Sequence, residues 1–218
     1  MSEQKSSFET VLKLLYFLLP LFFVLFGGYV AYFRIYLQNN IKKTQADVVQ
    51  IVNNMTETFE GKYPALDANL LVIQNILPYD FPVRKTINGY DFTNRFGGKV
   101  FFYNAYNTVA EREQNPEVLG AYIILLTRLT KKECKKLAQV DWRKKIPNFL
   151  GVEASYLSAQ KTFNGVYNLR SHLLFDNLNE KYESKDEGII SRRAMNKDET
   201  KEACGCLINT CTVALKFK

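Results

Sequence analysis

The sequence predicts an α+β protein: a long N-terminal helix, half membrane-spanning and half amphipathic, packed on an antiparallel-sheet globular head. Three observations carry that reading. Leu14 to Tyr32 is an uncharged apolar run of nineteen positions, which at about 1.5 Å per residue spans roughly the hydrocarbon core of a bilayer. Helical periodicity then continues into a polar stretch. Beyond it, aromatic and β-branched runs mix with short helical patterns without strict alternation.

The apolar run is longer than the 7–15 residues of a signal-peptide core, is rich in Phe and Tyr, and ends in Ala31-Tyr32-Phe33-Arg34 rather than a small-x-small cleavage pattern. Charges flank both sides, Lys5 and Lys13 before it and Arg34, Lys42 and Lys43 after it, so the positive-inside count does not set its orientation. Pro20 predicts a kink inside the span, because it removes a backbone donor and crowds the preceding turn. Val48, Ile51, Val52, Met55 and Phe59 then recur at helical spacing among Lys, Gln, Asp and Asn. Gly61 and Pro64 end this helix.

The rest of the chain reads as ordinary soluble protein, with 23% charged residues and a mean hydropathy of −0.19 overall. A second helix is predicted from Leu66 to Leu77, with Asp67 in its first turn and Pro78 beyond its end. Pro78 to Phe96, holding Pro82 and Asn88-Gly89, reads as an irregular connection. Lys99 to Tyr106 and Gly120 to Leu129 read as strands. Thr130 caps a helix with Cys134, Leu137 and Ala138 on one face. Phe149 to Tyr156 and Phe163 to Leu169 are weaker strands. Asn179 to Glu202, charged and poor in large apolar residues, reads as a mobile exposed loop. Thr212 to Phe217 alternates like a half-buried strand.

Four cysteines, Cys134, Cys204, Cys206 and Cys211, suit disulfides in an oxidising compartment and allow three pairings. Free buried thiols and a metal site built from all four are the rivals; a C-x-C followed by a lone Cys fits structural zinc poorly. The densest basic stretch is Lys131, Lys132, Lys135, Lys136, Arg143, Lys144 and Lys145, with only Trp142 as an aromatic neighbour. Nucleic-acid binding asks for interleaved aromatics or base-reading groups, so this reads as a solvated helix face and no nucleic-acid partner is expected. The single histidine, His172, stands in a Ser-His-Leu-Leu context, and no nucleotide-binding, nucleophile-elbow or zinc-protease motif occurs. The sequence therefore predicts no enzyme and no cofactor. A pocket around His172 with converging carboxylates would argue the reverse.

Several motifs resemble those of the type IVb pilins. Asn39 to Ala65 is similar to their helix-to-head junction, in which a helix-terminal aromatic precedes a Gly and a Tyr-Pro-Ala; Phe59, Gly61 and Tyr63-Pro64-Ala65 match. Asn94-x-Phe96-Gly97-Gly98 is similar to an Asn-x-aromatic-Gly-Gly turn of related pilins. Leu129 to Leu137 resembles the helix carrying the first cysteine of the family's disulfide. Lys201 to Cys204, with Thr212 to Phe217, resembles its second cysteine and last strand.

The resemblance implies a Cys134–Cys204 bridge, with Cys206 and Cys211 as extra cysteines able to form a second pair. It also implies a leader at residues 1–7, a transmembrane or fibre-core half-helix at 8–33, an amphipathic half at 34–61 and a head at 62–218. By the same resemblance the processing site would be Ser7–Phe8, and Glu9 and Pro20 would serve assembly. The sequence departs from the family here: no glycine precedes Gly27, Glu9 follows Phe8 directly, and Lys13 stands where the family is apolar. The implied protein is a pilin or pseudopilin with one inner-membrane pass and an extracytoplasmic head. It would form a helical homo-oligomeric extracellular fibre after meeting a prepilin peptidase and a pilus assembly platform. A signal-anchored extracytoplasmic binding domain that never polymerises is the alternative.

Overall fold

A computed structural model describes residues 3–105, 120–155, 181–184, 188–206 and 211–218, and for 3–14, 181–184 and 188–190 the backbone alone. The chain divides into two compact units, Met1–Asn40 and Ile41–Lys218. Helix α1, Glu3–Phe59, supplies the first unit and the opening of the second, and it is continuous through Pro20. It stops where Glu60 and Gly61 take left-handed backbone angles, φ 49° and 80°. Only glycine adopts that region without cost, so Gly61 is the natural end of the helix.

The second unit is built on one antiparallel sheet. Among the described residues it has eight strands, β1 Val83–Thr86, β2 Gly89–Thr93, β3 Lys99–Ala105, β4 Ala121–Leu129, β5 Phe149–Ser155, β6 Lys181–Ser184, β7 Gly188–Ser191 and β8 Cys211–Phe217. Their spatial order is β1-β2-β3-β4-β8-β5-β7-β6, so the last strand of the chain lies mid-sheet. Registers such as Tyr122↔Phe217, Ile124↔Leu215 and Val152↔Leu215 fix which side chains share a face. One face carries Val100, Phe102, Ile124, Leu126 and Leu215. The buried stripe of α1, Val48, Ile51, Val52 and Met55, accompanies that face, and Val48, Ile51, Val100, Ile124 and Leu126 line a common cavity of about 10 Å³. The opposite face carries Ala105, Ala121, Ile123, Leu125 and Ala214 as a tight cluster.

Among the described residues, four short helices complete the unit: α2 Ala68–Ile73, α3 Lys131–Ala138, α4 Trp142–Lys145 and α5 Lys197–Ala203. Each starts at a side chain that accepts from orphan backbone N–H groups: Asp67 for α2, Thr130 for α3, Asp141 for α4 and Asn196 for α5. In α3 and α5 a glutamate three residues on, Glu133 or Glu199, closes a capping box. The lysines of α3 occupy the side opposite Cys134, Leu137 and Ala138 and are exposed or half-exposed.

Four expectations need correction. The second helix is shorter than Leu66–Leu77, because Asp67 is its N-cap and Asn75 turns left-handed at φ 51°. Pro78 to Phe96 is not irregular: it holds the β1–β2 hairpin, with the prolines outside the paired residues. The final strand is buried on both faces rather than one, Lys216 included; it lies mid-sheet between β4 and β5, whose side chains flank its own on each face. Asn179 to Glu202 is not a mobile loop over its described residues, 181–184 and 188–202. It contains β6, β7 and α5, and its charges are used internally: Arg193 forks onto Glu199 at 2.8 and 3.0 Å. The strand expected at Phe163 to Leu169 lies outside the described residues.

Candidate functional site

The first candidate is the apolar surface of Met1–Asn40. From Leu15 onward α1 displays large apolar side chains to its surroundings, with Tyr16 85%, Phe17 80% and Val24 71% exposed. Its rings pair one helical turn apart, Phe22 with Phe26 at 5.9 Å and Tyr32 with Tyr36 at 6.4 Å. A soluble monomer does not leave such a surface bare, since apolar area is driven out of water at roughly 25 cal/mol per Å². By length and composition this helix is able to cross a membrane. The side chains of Ser7, Phe8 and Glu9 lie outside the described residues, and Pro20 sits within the exposed helix.

The second candidate is the clasp that holds residues 41–59 of α1 on the sheet. Asp47 accepts from Arg95 Nε at 2.7 Å and from Nη2 at 2.8 Å. Arg95 also donates to the Asp80 carbonyl at 2.9 Å. The Asp47 carboxylate, with that of Asp80 3.1 Å from Nη2, holds the guanidinium more firmly protonated than usual. Arg95 belongs to the Asn94–Gly98 turn. Asn94 Oδ1 accepts from the Phe96 and Gly98 N–H groups at 2.9 and 3.0 Å, while Nδ2 donates to the Thr127 carbonyl at 2.9 Å. Thr127 precedes Arg128, whose left-handed backbone (φ 56°) lies at the β4 irregularity. One asparagine thus shapes the turn and ties it to β4.

Past the helix end a second tie repeats the idea. Asn104 on β3 accepts from Leu66 N–H at 2.8 Å and donates to the Pro64 carbonyl at 2.5 Å. Tyr63 is thereby held against Tyr122, with ring centroids 4.7 Å apart and edge to face. Burial pushes both phenols above their ordinary pKa.

The third candidate is the cysteine cluster. Cys134 on α3 is bridged to Cys204 after α5, and Cys206 to Cys211 at the start of β8. The Sγ atoms of Cys134, Cys204 and Cys211 lie within 4.8 Å of one another. Sulfurs so placed could ligate a soft metal as thiolates, but here each is used in an S–S bond. His172 lies outside the described residues. The clasp pair Asp47–Arg95 escaped sequence reasoning. Its signal was an acidic residue at the edge of the Thr44-Val48-Ile51-Met55 stripe, where a solvated charge has no place.

No protein-family model and no curated protein matches the chain. Among solved structures it is similar to TcpA, a type IV pilin from Vibrio cholerae El Tor biotype. The two are 18% identical, with 83% of this chain and 99% of that one covered and a TM-score of 0.51. It also aligns with the type IV b pilin from Salmonella typhi, at 9% identity over 82% of this chain and 97% of that one, with a TM-score of 0.46. The chain has a pilin-like α+β fold over most of its length, a long N-terminal helix joined to an antiparallel sheet with two disulfides.

Proposed function

We propose that this protein is a structural subunit of a type IV pilus or pilus-like fibre, held in the inner membrane before assembly and extracellular afterwards. The observation that carries the reading is the bare apolar face of α1 from Leu15 to Tyr36 on a chain whose remainder folds as an ordinary capped α+β domain. Lipid would cover that face before assembly and neighbouring helices afterwards. Association between helices already in lipid rests on packing rather than on a further hydrophobic gain. Contacts of this kind are heterologous, and heterologous contacts that do not close generate helical filaments. The work is done by packing and not by catalysis, and adhesion or secretion would follow from what the fibre presents.

Two measurements test this. N-terminal sequencing of the mature protein is expected to show a processed terminus near Phe8, and electron microscopy of the producing cells is expected to show fibres that disappear on deletion of the gene. Unchanged fibres after deletion would overturn the reading. Lys13, within what would be the fibre-core half-helix, favours a second reading, a signal-anchored extracytoplasmic domain that stays single. An intact Met1 on the mature chain supports that alternative.

A further inference from the structure

Two disulfides meet in this fold at their sulfurs. Cys211 Sγ, bonded to Cys206, lies within 4.8 Å of both Cys134 Sγ and Cys204 Sγ, which are bonded to each other. Burial across the cluster is uneven. Cys134, Cys204 and Cys211 have no exposed surface, whereas Cys206 is partly exposed and adjoins the exposed Gly205. An external thiol can therefore approach the outer bridge at Cys206, while the inner bridge is closed to it. Thiol–disulfide exchange requires a thiolate in reach of a disulfide sulfur, and Cys211 is the residue so placed.

We propose that Cys206–Cys211 is the port through which a dithiol or disulfide oxidoreductase opens and forms the buried Cys134–Cys204 bridge, by internal exchange within the folded domain. In the reductive direction a thiolate of the external dithiol attacks Cys206 Sγ. The Cys206–Cys211 bond breaks and Cys211 leaves as a thiolate. The second external thiol then displaces Cys206 and leaves the dithiol oxidised, having given up two electrons. Cys211 next attacks a sulfur of the Cys134–Cys204 bond, expelling the other as a thiolate that takes up a proton. Finally Cys206 attacks Cys211 in the new bond, restoring the outer bridge and releasing the second inner cysteine as a thiol. Two electrons and two protons have moved inward and the port is unchanged. The reverse sequence carries an oxidising equivalent from an external disulfide to the inner pair, which lets the helix carrying Cys134 fold before it is stapled.

The test uses the full-length chain in detergent under native conditions, with dithiothreitol as the dithiol, alkylation at timed points and peptide mapping. Hydrogen exchange of the α3 and β8 amides measures domain opening in parallel. In the unsubstituted chain Cys134–Cys204 is expected to open faster than those amides exchange. In C206S/C211S the same bridge is expected to open at least about tenfold more slowly relative to amide exchange, because direct attack then waits for local unfolding. Equal relative rates in the two proteins overturn the proposal. A trapping variant gives an independent outcome: in C206S the exchange cannot finish, so a bridge joining Cys211 to Cys134 or Cys204 is expected in part of the population. Finding only Cys134–Cys204, with Cys211 wholly free, overturns the proposal as well.

Discussion

Arg95 places two guanidinium nitrogens on the two oxygens of Asp47, at 2.7 and 2.8 Å, with the arginine side chain 12% and the carboxylate 8% exposed. The pair joins the helix segment 41–59 to the turn before β3. A paired, nearly buried charge is costly to orphan. Asp47→Ala and Arg95→Ala are each expected to cost about 3–5 kcal/mol. The double variant should cost little more than either single one, since both remove the same contact. Asp80→Ala, removing a carboxylate that is 62% exposed, should cost under about 1 kcal/mol. Urea unfolding followed by the fluorescence of Trp142, the only tryptophan and fully buried, reads all four.

Gly97 and Gly98 are adjacent and make opposite demands. A Cβ on Gly98 would stand 1.8 Å from the Thr127 carbonyl oxygen, which is backbone and unable to step aside. A Cβ on Gly97 meets nothing within 4 Å, and only its φ of 84° resists substitution. Gly98→Ala should therefore unfold the chain or lower its stability by more than about 3 kcal/mol, and Gly97→Ala should cost about 1 kcal/mol. Reversal of that order in thermal melts would refute the docking of the turn on β4.

The two disulfides close loops of very different length, with sequence separations of 70 and 5. In the chain-entropy account, losing the long-range bridge costs roughly 4 kcal/mol and losing the short one roughly 2. C134S/C204S should thus be the less stable double variant. Urea midpoints compared at unchanged slope give the difference directly.

What the sequence disclosed depended on whether the governing contact was local. The apolar run, the stripe Val48-Ile51-Val52-Met55, the cap at Thr130 and the strands at β3, β4 and β5 follow from periodicity or from side chains within four residues. The β1–β2 hairpin was hidden because Pro78 and Pro82 outweighed a short exposed strand, Val83–Thr86, that has no apolar alternation. The insertion of β8 between β4 and β5 is a topological fact that no local pattern encodes, and the burial of Lys216 on that strand runs against every local rule. The charged stretch ending in α5 misled for a related reason. Arg193, Asn196 and Glu199 satisfy one another, and composition counts such residues as solvated. The Asn94-x-Phe96-Gly97-Gly98 pattern was visible, but its purpose was not until Thr127, some thirty positions on, was seen against it.

Tyr63, Tyr103 and Tyr122 are held by burial in their neutral form, with pKa values above the ordinary tyrosine value. A phenol whose pKa is raised by folding contributes stability that is complete below its unfolded pKa of about 10 and is lost as pH rises beyond it. Alkaline titration should show phenolate absorbance from these three appearing together with loss of the far-ultraviolet circular dichroism signal. Tyr122 Oη has no hydrogen-bond partner among the described residues. Tyr122→Phe should therefore be neutral or slightly stabilising at pH 7 and should extend the folded range upward. A clear loss of stability at pH 7 in that variant would show that the hydroxyl is bonded after all.

Val24 lies near the middle of the apolar run and is 71% exposed. Arginine there costs about 2.5–3.5 kcal/mol of insertion free energy. The six leucines and four phenylalanines between Leu14 and Tyr32 supply about −3 to −6 kcal/mol on the same scale, so insertion should be weakened yet retained. In lipid the long side chain can also reach toward a headgroup. In the proposed fibre, a close-packed core of neighbouring helices would offer neither a headgroup nor water, and the charge would be stranded there. Val24→Arg is thus expected to remain in the membrane pellet after alkaline carbonate extraction while fibres, counted by electron microscopy, are lost. Fibres at wild-type abundance from a membrane-inserted Val24→Arg chain would mean that this face of α1 is not the assembly surface.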